Sequence, residues 1–125
     1  MLVTRKNHIK IESLKLKNDI SNVFKLGKSR SFDGIVIKVV ENSIGSTRFC
    51  IIPSHGFGNA VERNTLKRRI RSIFRDLCVY FDSSYDIVVI IKKTEKNISF
   101  KDLLFKIEKV LKKLTIIDKK ETAHL

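Results

Sequence analysis

Apolar side chains recur at helical spacing in three segments of the chain. In the first segment, Ile20, Val23 and Phe24 fall on one face of a helix. Asn18 is a suitable N-cap before them, and Gly27 suits a left-handed residue after the last turn. The pattern therefore predicts a short helix between Asn18 and Gly27.

The second segment, residues 58–76, reads GNAVERNTLKRRIRSIFRD. Its apolar positions cluster on one side at about 100° per residue. They predict a helix that buries one face, formed by Leu66, Ile70, Ile73, Phe74 and Leu77.

The third segment keeps the helical period for four turns and predicts a last helix that packs on a sheet. Ser99, with Asp102 three residues later, predicts a capping box at its start. Its apolar positions are Phe100, Leu103, Leu104, Ile107, Val110, Leu111 and Leu114.

Three other segments have strand character. Residues 34–40 (GIVIKVV) and 47–52 (TRFCII) flank a turn-like stretch at 41–46, which predicts an antiparallel pair. Pro53, Gly56 and Gly58 then interrupt the second strand. Residues 86–91 (DIVVII) form a continuous apolar run, typical of a strand that is buried on both faces.

The order of these elements predicts one α+β domain, an α-β sandwich, over residues 18–117. Residues 1–17 carry five basic side chains without a clear period and are interpreted as a basic arm, partly ordered at best. Residues 118–125 are interpreted as a frayed tail.

Charge narrows the possible functions. The chain has 125 residues with 26 Lys and Arg against 13 Asp and Glu, a formal net charge of +13. Such an excess repels itself in the compact state unless a polyanion relieves it. Nucleic acid is the first candidate partner and an anionic membrane surface the second. A membrane span needs roughly 20 apolar residues, and the longest runs here, such as 87–91, have strand length.

The sequence therefore predicts a soluble protein that is not exported. Cys50 and Cys78 lie singly in apolar segments without metal-ligand spacing. This predicts buried free thiols in a reducing compartment, which favours the cytoplasm.

The basic helix separates its two faces. Opposite the apolar side lies a sector formed by Asn64, Lys67, Arg68, Arg71 and Arg75. Between residues 63 and 75 there are five arginines, one lysine and no acid. A solvated face usually mixes charge signs, whereas guanidinium groups can grip phosphate through two bonds. The glycine-bearing loop before Asn59 adds backbone N–H groups at a helix start, which can receive phosphate.

This segment resembles the signature of the protein component of bacterial ribonuclease P, in which a GNA turn leads into a helix similar to RNRxKRxxRExF. The resemblance extends over about residues 14–114. It includes VFKxG at residues 23–27, Arg48 before an apolar strand, the D-IVVI strand and the terminal amphipathic helix.

The resemblance implies a subunit that assembles with a catalytic RNA and supports removal of the 5′ leader from precursor tRNA. Magnesium ions in the RNA active site would take part in hydrolysis, and the protein itself would hold no metal and no catalytic residue. The resemblance also implies the element order αββ(β)αβα. Its crossover between parallel strands would be left-handed, whereas nearly all such crossovers are right-handed. The expected RNA contacts are His55, Asn59, Arg63, Asn64, Lys67, Arg68, Arg71 and Arg75, and the expected leader cleft comprises Ile20, Phe24, Lys38 and Arg48.

The chain departs from the family pattern at several positions. Thr65 replaces an arginine, Ile20 a cleft aromatic, and Lys38 a tyrosine, while His55 and Gly56 replace two lysines. Because an aromatic ring stacks on a base for about 1–3 kcal/mol, we expect the leader grip to depend more on charge.

Other chemistry has weaker support in the sequence. His8, His55 and His124 lack the spacing of metal ligands, and the acids are dispersed, so we expect no hydrolysis by the protein alone. Phe49, Phe74, Phe100 and Phe105 are assigned to the core, with Phe24 and Phe32 in or near it. A ribosomal or general RNA-binding protein is the main alternative. A DNA-binding helix is a third, without a helix-turn-helix partner or a visible dimer seam, and the protein is expected to be a monomer within its complex.

Overall fold

The structure, a computed structural model, describes residues 10–117. His8, His124 and the predicted tail at 118–125 lie outside the described residues, as does the first half of the predicted arm. The elements follow the order βαβββαβα. They are β1 (Lys10–Ser13), α1 (Lys17–Leu26), β2 (Lys28–Phe32), β3 (Ile35–Glu41), β4 (Ser46–Pro53), α2 (Ala60–Leu77), β5 (Tyr85–Ile91) and α3 (Phe100–Leu114).

The strands form one five-stranded sheet in the order β1-β4-β5-β3-β2. The central strand β5 runs parallel to β4 and antiparallel to β3. The predicted antiparallel pairing of β3 with β4 is therefore wrong, because β5 lies between them. Val40 and Arg48 both pair with Asp86, so the loop at residues 42–45 passes over the start of β5. There the Asn42 N–H donates to the Ser84 carbonyl at 3.0 Å.

Two strands have weak sequence signals. β1 lies within the predicted arm and has only four residues, all of which pair with β4. β2 (KSRSF) is polar because it is an edge strand, and its pairing with β3 follows a hairpin turn at Asp33 and Gly34. Both turn residues have positive φ, 42° and 91°, the conformation that an Asp-Gly hairpin provides. The second half of the predicted basic arm thus contains β1 and the first residue of α1.

The ends of α1 also differ from the prediction. The N-cap is Leu16 without a side-chain hydrogen bond, so the prediction that Asn18 caps the helix is wrong. Gly27 is extended, with φ −75°, instead of left-handed. A Cβ there would lie 2.4 Å from the Val23 carbonyl oxygen and 2.9 Å from that of Val39. Glycine is needed because helix and strand approach closely at this point.

The sheet lies between two helical layers. α1 covers β5 and β3 on one face, where Leu14, Val23 and Val88 form a small core. On the other face α3 covers β2 and β3, while α2 packs beside β4. The predicted apolar face of α2 is confirmed as buried, and α3 packs on the sheet as predicted. The α+β sandwich is therefore confirmed, while the hand of the β4–α2–β5 crossover stays a prediction.

The core assignment of the aromatic residues is half right. Phe49 and Phe74 are buried and stack at 5.4 Å between ring centroids. Phe100 and Phe105 were assigned to the core wrongly, because 43% and 54% of their surfaces are exposed. Phe100 lines a cavity between the starts of α2 and α3, and Phe105 meets Phe32 of the edge strand β2.

Two smaller predictions have mixed outcomes. At α3 the Ser99 side chain accepts the Asp102 N–H, which is one half of the predicted capping box. Both cysteines are free thiols, but only Cys78 is buried and Cys50 is half-buried.

Candidate nucleic-acid interface

The loop at residues 54–59 and a capping box fix the start of α2. Phe57 anchors the loop in the core with 1% of its surface exposed, and Gly56 has φ 80°. The Asn59 side chain accepts the Glu62 N–H, and the Glu62 carboxylate accepts the Asn59 N–H, both at 2.9 Å. The pKa of the Glu62 carboxyl is lowered mainly by the hydrogen bond from the Asn59 N–H and, second, by the hydrogen bond from Lys96.

This capping box leaves fewer free backbone N–H groups for a phosphate at the start of α2 than the sequence predicts. The N–H groups of Asn59 and Glu62 are already bonded, and a carboxylate lies beside them. The structure therefore gives Asn59 a role in capping the start of α2, and its contact with RNA stays a prediction. The N-x-x-E pattern at 59–62 signalled the box, although it was not recognised in the sequence. His55 lies exposed in the same loop.

The outward side of α2 is an uncompensated cationic surface. We name it the arginine face, and its members are Arg63, Asn64, Lys67, Arg68, Arg71 and Arg75. Asn64 and the last three arginines of this set are exposed, while Arg63 and Lys67 are half-buried. Within residues 10–117, no carboxylate lies within 4.0 Å of any cation of the arginine face. These charges are therefore available to an external polyanion.

The arginine face adjoins the α1-side face of the sheet. A cavity of about 200 Å³ between them is lined by Lys67 and Arg71 from α2 and by Leu14, Lys15 and Cys50 from β4 and the end of β1. Burial raises the pKa of the Cys50 thiol, and the charge of Lys67 opposes that rise. A polyanion on α2 can therefore continue onto the sheet without crossing an acidic region at this cavity.

Two of the four predicted cleft residues form a polar and aromatic pair. Phe24 on α1 is 46% exposed, and Lys38 Nζ lies 5.5 Å from the centroid of its ring. Lys38 Nζ also donates to Ser29 Oγ at 3.4 Å. Ile20 instead packs against the small core. The structure thus brings a cation beside an exposed ring on this face of the sheet.

Arg48, the fourth predicted cleft residue, is held by acids of the protein. Its Nε and Nη2 donate to both carboxylate oxygens of Asp86 at 2.8 and 2.6 Å, and Nη1 donates to Asp19 at 3.2 Å. The hydrogen bond to Asp86 raises the pKa of Arg48, although burial opposes the rise. Asn42 Nδ2 also donates to Asp86, at 2.8 Å. We name these four residues the Arg48 cluster, and it ties α1 to β4 and β5.

Metal and membrane chemistry have little support in the described residues. Between residues 10 and 117 no three His, Cys, Asp or Glu side chains come together as metal ligands. None of the helices in that part of the chain combines the length and apolar character that a membrane span requires.

Comparison with known proteins decides the family. The family model described as Ribonuclease P matches residues 9–115. The chain belongs to the bacterial ribonuclease P protein family. The resemblance seen in the sequence is thereby confirmed, and membership makes this a component of a tRNA-processing endoribonuclease with an RNA-binding role.

Two relatives from the same family each cover more than four fifths of this chain. The ribonuclease P protein component of Petrotoga mobilis is 37% identical over 109 residues, covering 84% of this chain and 92% of that protein. The component of Acholeplasma laidlawii is 31% identical over 110 residues, covering 88% of this chain and 95% of that protein.

Solved structures of ribonuclease P proteins share the fold. A Staphylococcus aureus mutant described as defective in mRNA degradation superimposes with a TM-score of 0.77 at 29% identity, covering 84% of this chain and 89% of that chain. The Thermotoga maritima protein gives 0.73 at 32% identity, covering 81% and 96%.

The structure also places the departure at Thr65. This residue lies on the flank of α2 toward α3, where it lines a cavity of about 450 Å³ together with Arg69 and Lys96. The replacement of an arginine there removes charge from the flank and leaves the centre of the arginine face unchanged.

Proposed function

We propose that the chain is the protein subunit that assembles with ribonuclease P RNA and supports RNA-catalysed, magnesium-dependent removal of the 5′ leader from precursor tRNA. One observation carries the proposal. The arginine face has no carboxylate partner in the described chain, and it continues through Lys67 and Arg71 onto the α1-side face of the sheet. A single surface can therefore contact a folded RNA and an adjoining single strand.

The arginine face would bind the catalytic RNA through phosphate contacts. Guanidinium groups donate two parallel hydrogen bonds to one phosphate, which fixes orientation as well as attracting charge. Each contact releases counterions, so affinity falls with salt by about 0.7–0.9 in the log-log slope per phosphate. Folding α2 against the core holds the side chains on one side, because Ile70 and Ile73 are fully buried beneath it.

The sheet face beside α1 would hold the leader. A leader base can stack on the exposed ring of Phe24, and Lys38 lies close enough to neutralise a phosphate beside it. Ile20 and Lys38 stand where the family pattern has aromatic residues, so this grip depends on one ring and nearby cations. Precursor tRNA is thus the proposed second partner of a monomeric subunit in the cytoplasm.

The ion pairs of the protein's acids indicate that these side chains stabilise the fold. Asp19 and Asp86 are paired with Arg48, Asp33 and Glu95 with Lys106, and Glu62 with Lys96. Carboxylates engaged in this way hold the fold together and do not converge on a common point. We therefore expect hydrolysis to depend on magnesium ions held by the RNA, and the isolated protein to cleave nothing.

Reconstitution tests the proposal. The chain is mixed with ribonuclease P RNA, and precursor tRNA cleavage is measured at a magnesium concentration where the RNA alone is nearly inactive. We expect the chain to restore cleavage and Arg68→Ala/Arg71→Ala to lose much of the gain. Lys112→Ala is the matched control, because its charge is already paired with Glu108 at 2.9 Å.

Three results would contradict the proposal. A general or ribosomal RNA-binding protein would bind both RNAs without any gain in cleavage. Leader removal by purified protein alone would place the chemistry in the protein. A loss in the Lys112 control of about half that in the arginine variant, in proportion to the one and two cations removed, would mean that overall charge, not the arginine face, carries the effect.

A further inference from the structure

An aromatic surface lies at the β2 edge of the sheet, where α3 covers β2, whereas α2 packs beside β4. Phe105 on α3 is 54% exposed, and its ring meets Phe32 of β2 edge-on at 6.1 Å between centroids. Water contact with so large an apolar ring is unfavourable. Phe32 and a lysine contact the Phe105 ring, but more than half of the residue's surface stays exposed and can be covered by a partner.

Cations surround the two rings. Lys109 Nζ lies 5.5 Å from the Phe105 centroid, and Lys113 Nζ lies 5.2 Å from the Phe32 centroid. Lys101 precedes Phe105 by four residues, so the lysines and the ring follow one ridge of α3 at intervals of about 6 Å. We name this surface the α3 edge, and its members are Arg30, Phe32, Lys101, Phe105, Lys109 and Lys113.

The polar contacts of these cations leave their charge uncompensated. Lys113 Nζ donates to the Ser31 carbonyl at 3.0 Å, and Arg30 Nη1 donates to the Ser29 carbonyl at 2.7 Å. Both acceptors are backbone oxygens of β2, the last strand of the sheet. In the described chain, no carboxylate lies within 4.0 Å of any cation of the α3 edge.

Nearby acids are already engaged elsewhere. Glu108 pairs with Lys112, while Asp33 and Glu95 pair with Lys106. Asp102 lies in the first turn of α3, where a negative charge complements the helix dipole. The charge of the α3 edge is thus available to an external anion.

The strand order separates this surface from the arginine face. β2 is the outermost strand at one edge, whereas α2 packs beside β4 on the other half of the sheet, and α3 lies over β2 and β3. An RNA bound along α2 therefore leaves the α3 edge free to contact a second segment.

We propose that the α3 edge is a second RNA-binding surface, which takes a single-stranded segment by stacking a base on Phe105 and neutralising its phosphates with the flanking lysines. Open aromatic faces beside cations are the usual means of binding single strands without sequence preference. An acidic peptide would satisfy the lysines but would leave the exposed ring without a function. The proposal goes beyond leader processing, because it requires neither cleavage nor the sheet face beside α1.

Binding of a short uridine oligonucleotide tests the α3 edge. Fluorescence anisotropy is measured over a range of salt with full-length chain in which Arg68→Ala/Arg71→Ala has weakened the arginine face. In that background we expect Phe105→Leu to weaken binding roughly 5- to 150-fold, which corresponds to the loss of one stacked base. Leucine keeps an apolar contact with Phe32, so circular dichroism should show a folded protein. Phe105→Tyr should restore binding.

The lysines have a matched control on the same helix. Lys101→Ala/Lys109→Ala should lower the log-log salt slope by up to about 1.4, at 0.7 per phosphate on a single strand. Lys112→Ala should leave the slope unchanged, because its charge is neutralised by Glu108.

The following outcomes would overturn the proposal. Unchanged affinity and slope in both edge variants would make the α3 edge a solvated surface. A poly-glutamate peptide that displaces the oligonucleotide as effectively as unlabelled RNA, with Phe105→Leu having no effect, would assign the surface to an acidic protein. Neither result affects leader cleavage in the reconstituted enzyme, so failure here is distinguishable from failure of the proposed function.

Discussion

Replacing Arg48 by methionine would show whether this residue holds the fold or binds the leader. Methionine keeps most of the apolar stem but removes the guanidinium and its three hydrogen bonds to Asp86 and Asp19. The Asp86 side chain is 6% exposed and that of Arg48 is 19% exposed. Asp86 would then keep only the Asn42 amide as a side-chain partner among the described residues.

The magnitude follows from this burial. Removing one partner of a buried ion pair costs about 3–5 kcal/mol, since the other charge remains unpaired. Because Arg48 is partly exposed, we expect a value near the lower limit, about 3 kcal/mol. The carboxylate of Asp19 is 32% exposed, so Asp19→Asn should cost only about 0.5 kcal/mol. At about 4 °C per kcal/mol for a chain of this size, Arg48→Met should lower the Tm by about 12 °C.

Urea denaturation followed by circular dichroism gives the free energies. Asp86→Asn in the Arg48→Met background should recover part of the loss, because it removes the unpaired charge, and the two changes should therefore not be additive. Below the Tm of Arg48→Met, the salt slope of precursor tRNA binding should stay unchanged. A loss under about 1 kcal/mol, strict additivity, or a slope reduced by about 0.7 would refute the structural role and favour a leader contact.

Three further predictions concern the two sides of the sheet. Arg68→Ala/Arg71→Ala should lower the log-log salt slope of RNA binding by up to about 1.8, measured by filter binding; an unchanged slope would assign both side chains to solvent. Ile73→Asp buries an unpaired charge at a fully buried position and should abolish the cooperative thermal transition, whereas a normal Tm would refute the orientation of α2. Gly27→Ala should cost about 1–3 kcal/mol in urea, because the new Cβ would meet the Val23 carbonyl oxygen at 2.4 Å; a variant as stable as the parent would show that the helix end can shift.

Local pattern predicted the elements that have a wide buried face. α2 and β5 follow their periodicity because one side of α2 and both faces of β5 are buried. β1 and β2 are edge strands with few buried side chains, so their composition resembles that of a loop. Strand pairing was missed because the insertion of β5 between β3 and β4 is a contact between segments more than 30 residues apart.

The site was predictable to the extent that it lies on one element. Spacing along α2 places the cations of the arginine face together, and the structure keeps them there. The partners of Arg48 lie 29 and 38 residues away in sequence, so no local pattern connects them. Phe105 was assigned to the core although it lies outside the apolar period of α3, because it stands two residues, or about 200°, from both Leu103 and Ile107. The helical period therefore already indicated the exposed position that the structure shows.

In the described part of the structure, most paired acids lie between elements of the fold, whereas two groups of unpaired cations lie on outward surfaces. Five acids of the described chain join separate elements: Asp19 and Asp86 join α1 to the sheet, Asp33 of the β2–β3 turn and Glu95 of the segment after β5 both pair with Lys106 of α3, and Glu62 joins α2 to Lys96. Because half as many acids as bases are present, the unmatched cations repel one another on the arginine face and the α3 edge. RNA bound at either surface relieves that repulsion most in the folded state, where the cations are adjacent. RNA binding should therefore raise the free energy of unfolding of the protein. That increase should be larger at low salt than at high salt.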